Sequence, residues 1–319
     1  MKILLMKPGA IGDVVHTTII TAAIKAKHPD WEVHYITRPY IAPLLINNST
    51  VDKVYTYEKN GNQSFLELMS DLRKEHYDII MPLSCTTRLI LLAIGALPKK
   101  IGFRHAYKNK SWVEEYFYSA KRLMPDLELP DHLVLNNNKE TETLIKKQLS
   151  EYPRPYIMFS PGKSEHQIRE GRVWNIDKWK ELAKELHATY GGTIFVLGSA
   201  SEIKAHTQLE QDGVVILSGQ YDLDGSCAVL SQADLVISGD SGPAHIATAY
   251  GVKTIAILGS TSPDKIKPYG KNGYVVEPKT ECKYCWKKKC KYTKHGELYA
   301  PCIESITVED VLNKVKEVM

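Results

Sequence analysis

Apolar and polar positions follow two alternating periods along most of this chain. Short runs rich in β-branched residues predict buried strands, and runs with an apolar residue at every third or fourth position predict helices. In the first half the predicted strands cover residues 1–7, 32–37, 51–57, 78–83 and 100–103, and the predicted helices cover residues 14–27, 63–75 and 87–96. Near-continuous apolar strands separated by helices predict βαβ units, with a parallel sheet covered on both faces.

A second series of the same kind begins after a polar stretch at residues 125–140. Its predicted strands cover residues 155–160, 193–197, 214–217, 234–238 and 254–258, and its predicted helices cover residues 176–189, 201–211, 228–233 and 243–250. We therefore predict an α/β protein with two Rossmann-like domains, residues 1–150 and 151–306, and a terminal helix within residues 307–319. Ligands of such sheets bind beyond the carboxyl ends of the strands, so the expected site is a central cleft that both domains face.

Composition and charge narrow the class of protein. The 319 residues are 43% hydrophobic and 24% charged, which excludes a disordered, collagen-like or disulfide-scaffold chain. The apolar run at residues 89–96 is far shorter than the roughly 20 residues that span a bilayer, and no cleavage signal follows the first strand, so a cytoplasmic protein is expected. The net charge is +4, yet residues 279–294 alone hold seven lysines against one acid. The positive charge is therefore local, and the rest of the chain has slightly more acidic than basic residues. A nucleic-acid partner, which would need a basic face on a domain, is not expected.

The loop after the first strand, residues 7–13, contains two glycines spaced G-x-x-G. This spacing differs from both the G-x-G-x-x-G dinucleotide fingerprint and the Walker A loop, so a nicotinamide enzyme or an ATPase loses its main support. Gly12 and the free N–H groups of the following helix are suited to an anionic or hydroxylated ligand. Asp13 has two interpretations: a helix cap, or a general base for a substrate hydroxyl.

Three further loops follow strands of the second domain. Residues 238–245 place Asp240, Ser241 and Gly242 at the start of a helix, where backbone N–H groups and the helix dipole can hold a diphosphate without a metal. Taken in isolation, His245 in the same run would more commonly be a core-facing, satisfied histidine. The second loop, after the strand at residues 155–160, carries Lys163, Arg169 and Arg172, whose charges suit phosphate oxygens. The third loop, after the strand at residues 193–197, carries Glu202, whose carboxylate is a candidate to accept hydrogen bonds from a ribose. The alternative for the three cations is a solvated basic loop, and the alternative for Glu202 is an acid favoured in the first turn of a helix. Taken together, the loops favour an enzyme with a nucleotide-linked donor.

At this point the chain resembles glycosyltransferase family 9, the bacterial ADP-heptose:lipopolysaccharide heptosyltransferases, which have the GT-B fold. The pieces that carry the resemblance are the opening strand with Ile11-Gly12-Asp13-Val14-Val15-His16-Thr17, then Arg172-Val173-Trp174, Gly198 to Glu202, Asp240-Ser241-Gly242-Pro243-Ala244-His245 and Leu258 to Pro263. Two positions depart from the family pattern: Arg172 stands where a lysine is usual, and Asn175 stands where a proline often follows the tryptophan.

The resemblance implies an inverting transfer from ADP-heptose to a lipopolysaccharide core sugar. Asp13 would be the base, and Arg172, with Lys163, would meet the charge of the departing ADP. Asp240, Ser241, Gly242 and His245 would bind the donor diphosphate, with Gly12 near the donor and Glu202 on the adenosine ribose. Arg38, Arg88 and Arg104 would bind phosphate or carboxylate groups of the acceptor. The terminal helix would pack back on the first domain. No carboxylate pair of D-x-D type occurs at these strand ends, so catalysis without a metal is expected.

Four cysteines lie close together in the basic segment: Cys282, Cys285, Cys290 and Cys302. The C-x2-C pair and the reducing compartment favour a structural zinc or iron over free thiols or disulfides. The surrounding lysines would offset the charge of such a centre, or would attract anionic lipid at the inner membrane. Cys85 and Cys227 are predicted to be ordinary buried thiols.

Other functions stay open. Family members that glycosylate autotransporter proteins look similar in carrying a four-cysteine iron motif, so a protein acceptor is an alternative. A nucleotide-sugar epimerase with the same double-Rossmann architecture is a second, and a scaffold module that assembles through its cysteines is a third.

Overall fold

The computed structural model describes residues 1–58, 64–162, 167–168, 170–287, 290–292 and 299–319. Contacts divide the chain into two compact units, Met1–Asn137 and Asn138–Met319. The division lies inside the polar stretch at residues 125–140 that signalled a boundary, and earlier than the limit at residue 150. Helix α6, Lys139–Leu149, therefore belongs to the second unit, where it packs on helix α9, Leu223–Ser231.

The first unit is a parallel sheet with helices between its strands. The strands lie in the order β3-β2-β1-β4-β5, and every neighbouring pair is parallel. The strands are β1 Lys2–Met6, β2 Glu32–Thr37, β3 Lys53–Thr56, β4 Ile79–Pro82 and β5 Lys100–Ile101; the helices are α1 Ile11–Lys27, α2 Pro43–Ile46, α3 Phe65–Lys74, α4 Thr87–Gly95 and α5 Trp112–Lys121.

The second unit repeats this plan with six parallel strands. Their order is β11-β10-β9-β6-β7-β8, which is the doubly wound arrangement of a Rossmann fold. The strands are β6 Tyr156–Ser160, β7 Thr193–Val196, β8 Val214–Ile216, β9 Leu235–Ser238, β10 Thr254–Ile257 and β11 Gly273–Val276; the helices after α6 are α7 Ile176–Tyr190, α8 Ile203–His206, α9, α10 Gly242–Ala249, α11 Pro263–Ile266, α12 Pro301–Glu304 and α13 Val308–Val318.

The core of the second unit explains where the last helix lies. Helix α13 begins with a capping box, in which the Thr307 hydroxyl accepts from the Asp310 amide and the Asp310 carboxylate accepts from the Thr307 amide. Its apolar face, Val308, Val311 and Val315, is buried in the same cluster as strands β6, β9 and β10. The valine face is therefore used within the second unit, and packing of the terminal helix on the first domain stays a prediction.

Each sheet has one topological switch point, where the strand order reverses direction. In the first unit it lies between β1 and β4, and in the second it lies between β6 and β9. Crossover connections leave in opposite directions at such a point, so the loops after the two strands separate and leave room for a ligand. The loops that follow β1, β4, β6 and β9 contain most of the candidate residues.

The described helices of both units are short or carry polar residues. None of them combines the length and apolar character that crossing a membrane would need.

Candidate functional site

Asp13 lies in the first turn of α1, at the switch point of the first unit. The helix begins at Ile11, earlier than the sequence pattern indicates, and Ala10 is its N-cap without any side-chain hydrogen bond. The carboxylate of Asp13 instead forms an ion pair with Lys7, 3.1 Å from Nζ to Oδ2. The alternative in which Asp13 caps the helix is therefore wrong, and the carboxylate is held by a specific cation.

Lys7 is a buried lysine, with 6% of its side chain exposed, at the end of β1. A buried ammonium group is costly unless it is paired, and Asp13 provides the pairing carboxylate. Gly9 packs directly against this pair. A Cβ atom at residue 9 would lie 3.0 Å from Lys7 Cε and 3.2 Å from Asp13 Oδ2. The first glycine of the G-x-x-G loop therefore makes room for the ion pair.

Helix α5 covers the ion pair with an aromatic ring. Lys7 Nζ lies 5.4 Å from the ring centre of Tyr116, and the Arg104 guanidinium lies 4.9 Å from the same centre. Burial raises the pKa of Tyr116, and the charge of Asp13 raises it further, so the phenol stays neutral. Arg104 also pairs with the buried Glu115 at 2.6 Å. Arg104 therefore contacts the same tyrosine ring as Lys7, the lysine that pairs with Asp13.

The other two predicted acceptor residues share a pocket of about 390 Å³ in the first unit. Arg38 follows β2, and Arg88 lies in the first turn of α4. The pocket is lined by Pro8, Arg38, Tyr57, Ser84, Thr86, Thr87, Arg88 and Leu89, and Arg104 is not among them. Two guanidinium groups beside hydroxyl groups suit a ligand with phosphate or carboxylate groups. The structure therefore brings Arg38 and Arg88 to one pocket and places Arg104 elsewhere.

In the second unit Arg172 and Asp240 meet at the switch point. Arg172 Nε lies 2.8 Å from Asp240 Oδ2, and Nη2 donates to the Asp240 carbonyl at 2.7 Å. Its third nitrogen, Nη1, donates to Glu170 at 2.8 Å. Burial alone would lower the pKa of Arg172, but Asp240 and Glu170 together raise it, so the guanidinium stays charged. Arg172 thus contacts Asp240 with two of its nitrogens and Glu170 with the third.

The helix start beside this loop has the form expected of an anion cradle. Ser241 is the extended N-cap of α10, and its hydroxyl bonds with Ser238 rather than with the helix backbone. Gly242 is the first helical residue and Pro243 the second, so the first turn presents amide groups that the helix itself does not use. His245 follows on the same helix and is 6% exposed.

For the remaining donor-binding candidates the structure gives only local contacts or none. Glu202 Oε2 accepts from both the amide and the hydroxyl of Ser199 at 2.8 Å, in a capping box. The interpretation of Glu202 as a local first-turn acid is therefore supported by geometry, and its role on a ribose stays a prediction. Gly12 lies beside Asp13 in the first turn of α1. Lys163 and Arg169 lie outside the described residues.

The cysteine segment packs against two loops of the second unit, the one between β6 and α7 and the one after β10. A Cβ atom at Gly171 would lie 2.6 Å from Ala300 Cβ and 3.3 Å from Cys290 Cβ. The Trp286 amide donates to the Ser260 carbonyl at 2.9 Å, just after β10. The segment therefore supports the residue next to Arg172.

The predicted metal site is not confirmed. Across the described residues, which include all four cysteines, no three potential ligands come together as a metal-binding group. Burial, with a smaller contribution from charge on Cys282, Cys290 and Cys285, raises the pKa of Cys302 to about 11. Cys302 thus lies within electrostatic range of each of the other three thiols. The prediction for Cys85 is wrong, because this thiol is exposed; Cys227 is buried as expected.

Sequence reasoning missed the partners of the candidate residues. Lys7 and Glu170 are charged residues whose burial follows from tertiary packing, and no local pattern marks them. Tyr116 belongs to α5, which the pattern did not predict. The signal for α5 was a capping box, Ser111 with Glu114, at the start of the helix.

Comparison with solved structures defines the class of the fold. Escherichia coli ADP-heptose lps heptosyltransferase II superposes with a TM-score of 0.80 at 22% identity, covering 100% of this chain and 98% of that one. The iron-containing dodecameric glycosyltransferase TibC of enterotoxigenic E. coli superposes with a TM-score of 0.62 at 14% identity, covering 99% of this chain and 78% of that one. The two Rossmann-like units therefore form the GT-B fold of glycosyltransferases.

Sequence comparison identifies the family. The model of glycosyltransferase family 9 (heptosyltransferase) matches residues 65–295, and this chain belongs to that family. The lipopolysaccharide core heptosyltransferase OpsX of Haemophilus influenzae is 23% identical over 297 residues, which cover 85% of this chain and 83% of OpsX.

Proposed function

We propose that this protein transfers a heptose from ADP-heptose, with inversion, to a sugar of a lipopolysaccharide core. Membership of the heptosyltransferase family supports the sugar, and the similar proteins named for ADP-heptose and for the lipopolysaccharide core support the donor and the acceptor. The observation that carries the proposal is the placement of the Asp240–His245 run at the switch point of the second sheet, next to a helix start suited to a diphosphate.

The donor would be held by the second unit. The amide groups at the start of α10, with Gly242 first, would bind the diphosphate, and the helix dipole would stabilise the charge that ADP gains as it leaves. Arg172 and Lys163 would add positive charge, and His245 would lie close by on the same helix. Glu202 is proposed to contact the ribose. Because these groups supply the electrostatic stabilisation, we propose that transfer needs no catalytic metal.

The acceptor would be held by the first unit, with its anionic groups in the pocket of Arg38 and Arg88. Asp13 would take the proton from the attacking hydroxyl, and that oxygen would form the new bond to the anomeric carbon. The bond from the anomeric carbon to the diphosphate oxygen would break, and ADP would leave with the electron pair. Attack from the face opposite the leaving group inverts the anomeric centre. Lys7 fixes one oxygen of Asp13, which orients the carboxylate for this step.

A donor screen tests this proposal. The purified protein is incubated with ADP-, GDP- and UDP-sugars and with lipopolysaccharide core that lacks heptose, and products are identified by mass spectrometry. We expect mass gain by one heptose from ADP-heptose alone, also in the presence of EDTA, with the opposite anomeric configuration by NMR. A new sugar nucleotide formed without an acceptor would instead support an epimerase.

A polypeptide acceptor is the second candidate, because the chain has the fold of the iron-containing TibC and itself contains four cysteines within residues 282–302. The same screen separates the two functions when a mixture of cytoplasmic polypeptides replaces the lipopolysaccharide core. Transfer to polypeptide but not to the core would overturn the lipopolysaccharide assignment.

We also propose that Cys282, Cys285, Cys290 and Cys302 hold a structural zinc or iron ion. The four thiols suit these metals as a donor set, and Cys290 packs on the residue beside Arg172. We expect about one zinc or iron per chain by elemental analysis, and loss of that metal in Cys282→Ser/Cys285→Ser. The matched control is Cys85→Ser, an exposed thiol outside the segment, which should keep the metal. Metal well below one per chain in the unaltered protein would contradict the proposal.

A further inference from the structure

Helix α4 has an apolar face that the described structure leaves exposed. Its inner side, with Leu89, Leu92 and Ala93, packs in the core of the first unit. Its outer side carries Leu91 and Ile94, which are 50% and 52% exposed. A helix that is apolar on every side is normally buried on every side. The outer side of α4 departs from this pattern, because its apolar side chains are exposed to solvent.

Leu97 extends the same exposure beyond the end of the helix. It is 67% exposed and has a positive φ of 53°, a conformation that usually carries glycine after a helix. A leucine there costs backbone strain and shows a large apolar side chain to water. With Arg88, Leu91 and Ile94, it forms what we call the α4 face.

Basic residues predominate in the stretch of chain that contains the α4 face. Between Asp78 and Glu114 the chain has no acidic residue, whereas it has six basic ones: Arg88, Lys99, Lys100, Arg104, Lys108 and Lys110. Lys99, Arg104 and Lys110 form ion pairs with Asp78, Glu115 and Glu114. Arg88 is exposed on the α4 face itself, and Lys100 is exposed three residues after Leu97. Basic groups beside exposed leucine and isoleucine are complementary to an anionic lipid surface, which attracts the cations and takes up the apolar side chains.

The position of the helix fits this partner. The first turn of α4, with Thr87, Arg88 and Leu89, lines the pocket proposed for the acceptor. We infer that the α4 face docks on the surface of an anionic lipid bilayer, which brings a lipid-linked acceptor to that pocket. The inference rests on the proposed function as far as the acceptor is concerned, whereas lipid binding is measured without any transfer.

Two other occupants are less suited to this face. A stable dimer buries about 800 Å² on each partner, far more than three half-exposed side chains provide. The lysines of residues 279–294 are the other candidate for lipid attraction, but they belong to the second unit, whereas the pocket that α4 lines belongs to the first.

Vesicle binding by the full chain tests the inference. The probes are vesicles of equal parts phosphatidylcholine and phosphatidylglycerol, compared with phosphatidylcholine alone, and binding is measured by flotation. We expect binding to the anionic vesicles, weakened by salt, and a loss of about 10-fold or more in Leu91→Gln/Ile94→Gln. The matched control is Leu144→Gln, since Leu144 is 63% exposed on helix α6 of the other unit; this variant should bind like the unaltered protein.

Several results would overturn the inference. They are unchanged binding by Leu91→Gln/Ile94→Gln, an equal loss in Leu144→Gln, or a loss confined to Lys283→Gln/Lys287→Gln. A change of oligomeric state by light scattering in Leu91→Gln/Ile94→Gln, without any vesicle binding by the unaltered chain, would assign the face to a second copy. Hydrogen exchange of the unaltered protein covers the case in which the variant does not fold. Vesicles should then protect the amides of residues 87–97, and no added protection there would also reject the docking. ADP binding, measured in parallel, should be the same in all variants that fold.

Discussion

Replacing Asp13 with asparagine should lower the rate of heptose transfer by about 10²–10⁴-fold, which is the usual contribution of a general base. Asparagine keeps the shape of the side chain and can still accept from Lys7, but it cannot take the proton of the acceptor hydroxyl. The affinity for ADP should stay the same, because the proposed donor groups lie in the second unit. Steady-state kinetics of transfer and calorimetric titration with ADP measure the two quantities.

Asp71→Asn is the control for this substitution. Asp71 is also a carboxylate of the first unit paired with a lysine, Lys74 at 2.9 Å, but both side chains are largely exposed on helix α3. Its loss should leave the transfer rate unchanged, since exposed pairs contribute little. Near-normal transfer by a folded Asp13→Asn protein would remove Asp13 from the mechanism.

Replacing Arg172 with alanine should destabilise the second unit and abolish measurable ADP binding. The guanidinium lies between Glu170 and Asp240, whose side chains are each only 10% exposed, so its removal leaves two buried carboxylates without their cation. Breaking a buried ion pair in this way costs about 3–5 kcal/mol. Denaturant unfolding measures the free energy, and titration with ADP measures the binding.

Two variants separate this structural role from direct contact with the leaving group. Arg154→Ala removes another arginine that pairs with an aspartate of the same unit, Asp234 at 2.8 Å, but at an exposed position; it should cost about 0–1 kcal/mol. Arg172→Lys keeps a positive charge and should recover part of the stability. If Arg172→Ala slowed transfer while stability and ADP affinity stayed normal, Arg172 would act on the departing diphosphate rather than on the Asp240 loop.

Elements with strong periodicity were predictable from the sequence. Strand β2 and helix α13 have the expected bounds, because β-branched residues in one and regularly spaced valines in the other leave little choice of structure. Helix α6 was missed because only Ile145 and Leu149 are buried on it, so its apolar signal is weak within a polar stretch. The predicted helix at residues 201–211 is interrupted by two 3-10 turns, Ala200–Glu202 and Thr207–Leu209.

The candidate site was predictable where its residues lie at strand ends. Asp13 and Asp240 follow β1 and β9 in the chain, and both lie at the switch points that the strand order creates. The sequence could not show that Lys7 and Glu170 are buried against them, because burial of a charge depends on packing between distant segments. It also could not separate Arg104, which pairs with Glu115, from Arg38 and Arg88, which share a pocket.

The strand order of the second sheet has a consequence for how the chain acquires its structure during synthesis. Strand β6 is the first strand of that unit to leave the ribosome, yet it is an inner strand, and its pairing with β9 joins Ile157 to Leu235. One edge of β6 therefore stays unpaired until β9 has been translated. In the first unit, by contrast, both neighbours of β1, strands β2 and β4, have been translated once synthesis reaches Pro82. Long-range parallel pairing of this kind is slow. The half of the protein that would hold the nucleotide should thus depend more on chaperones than the half that would hold the acceptor.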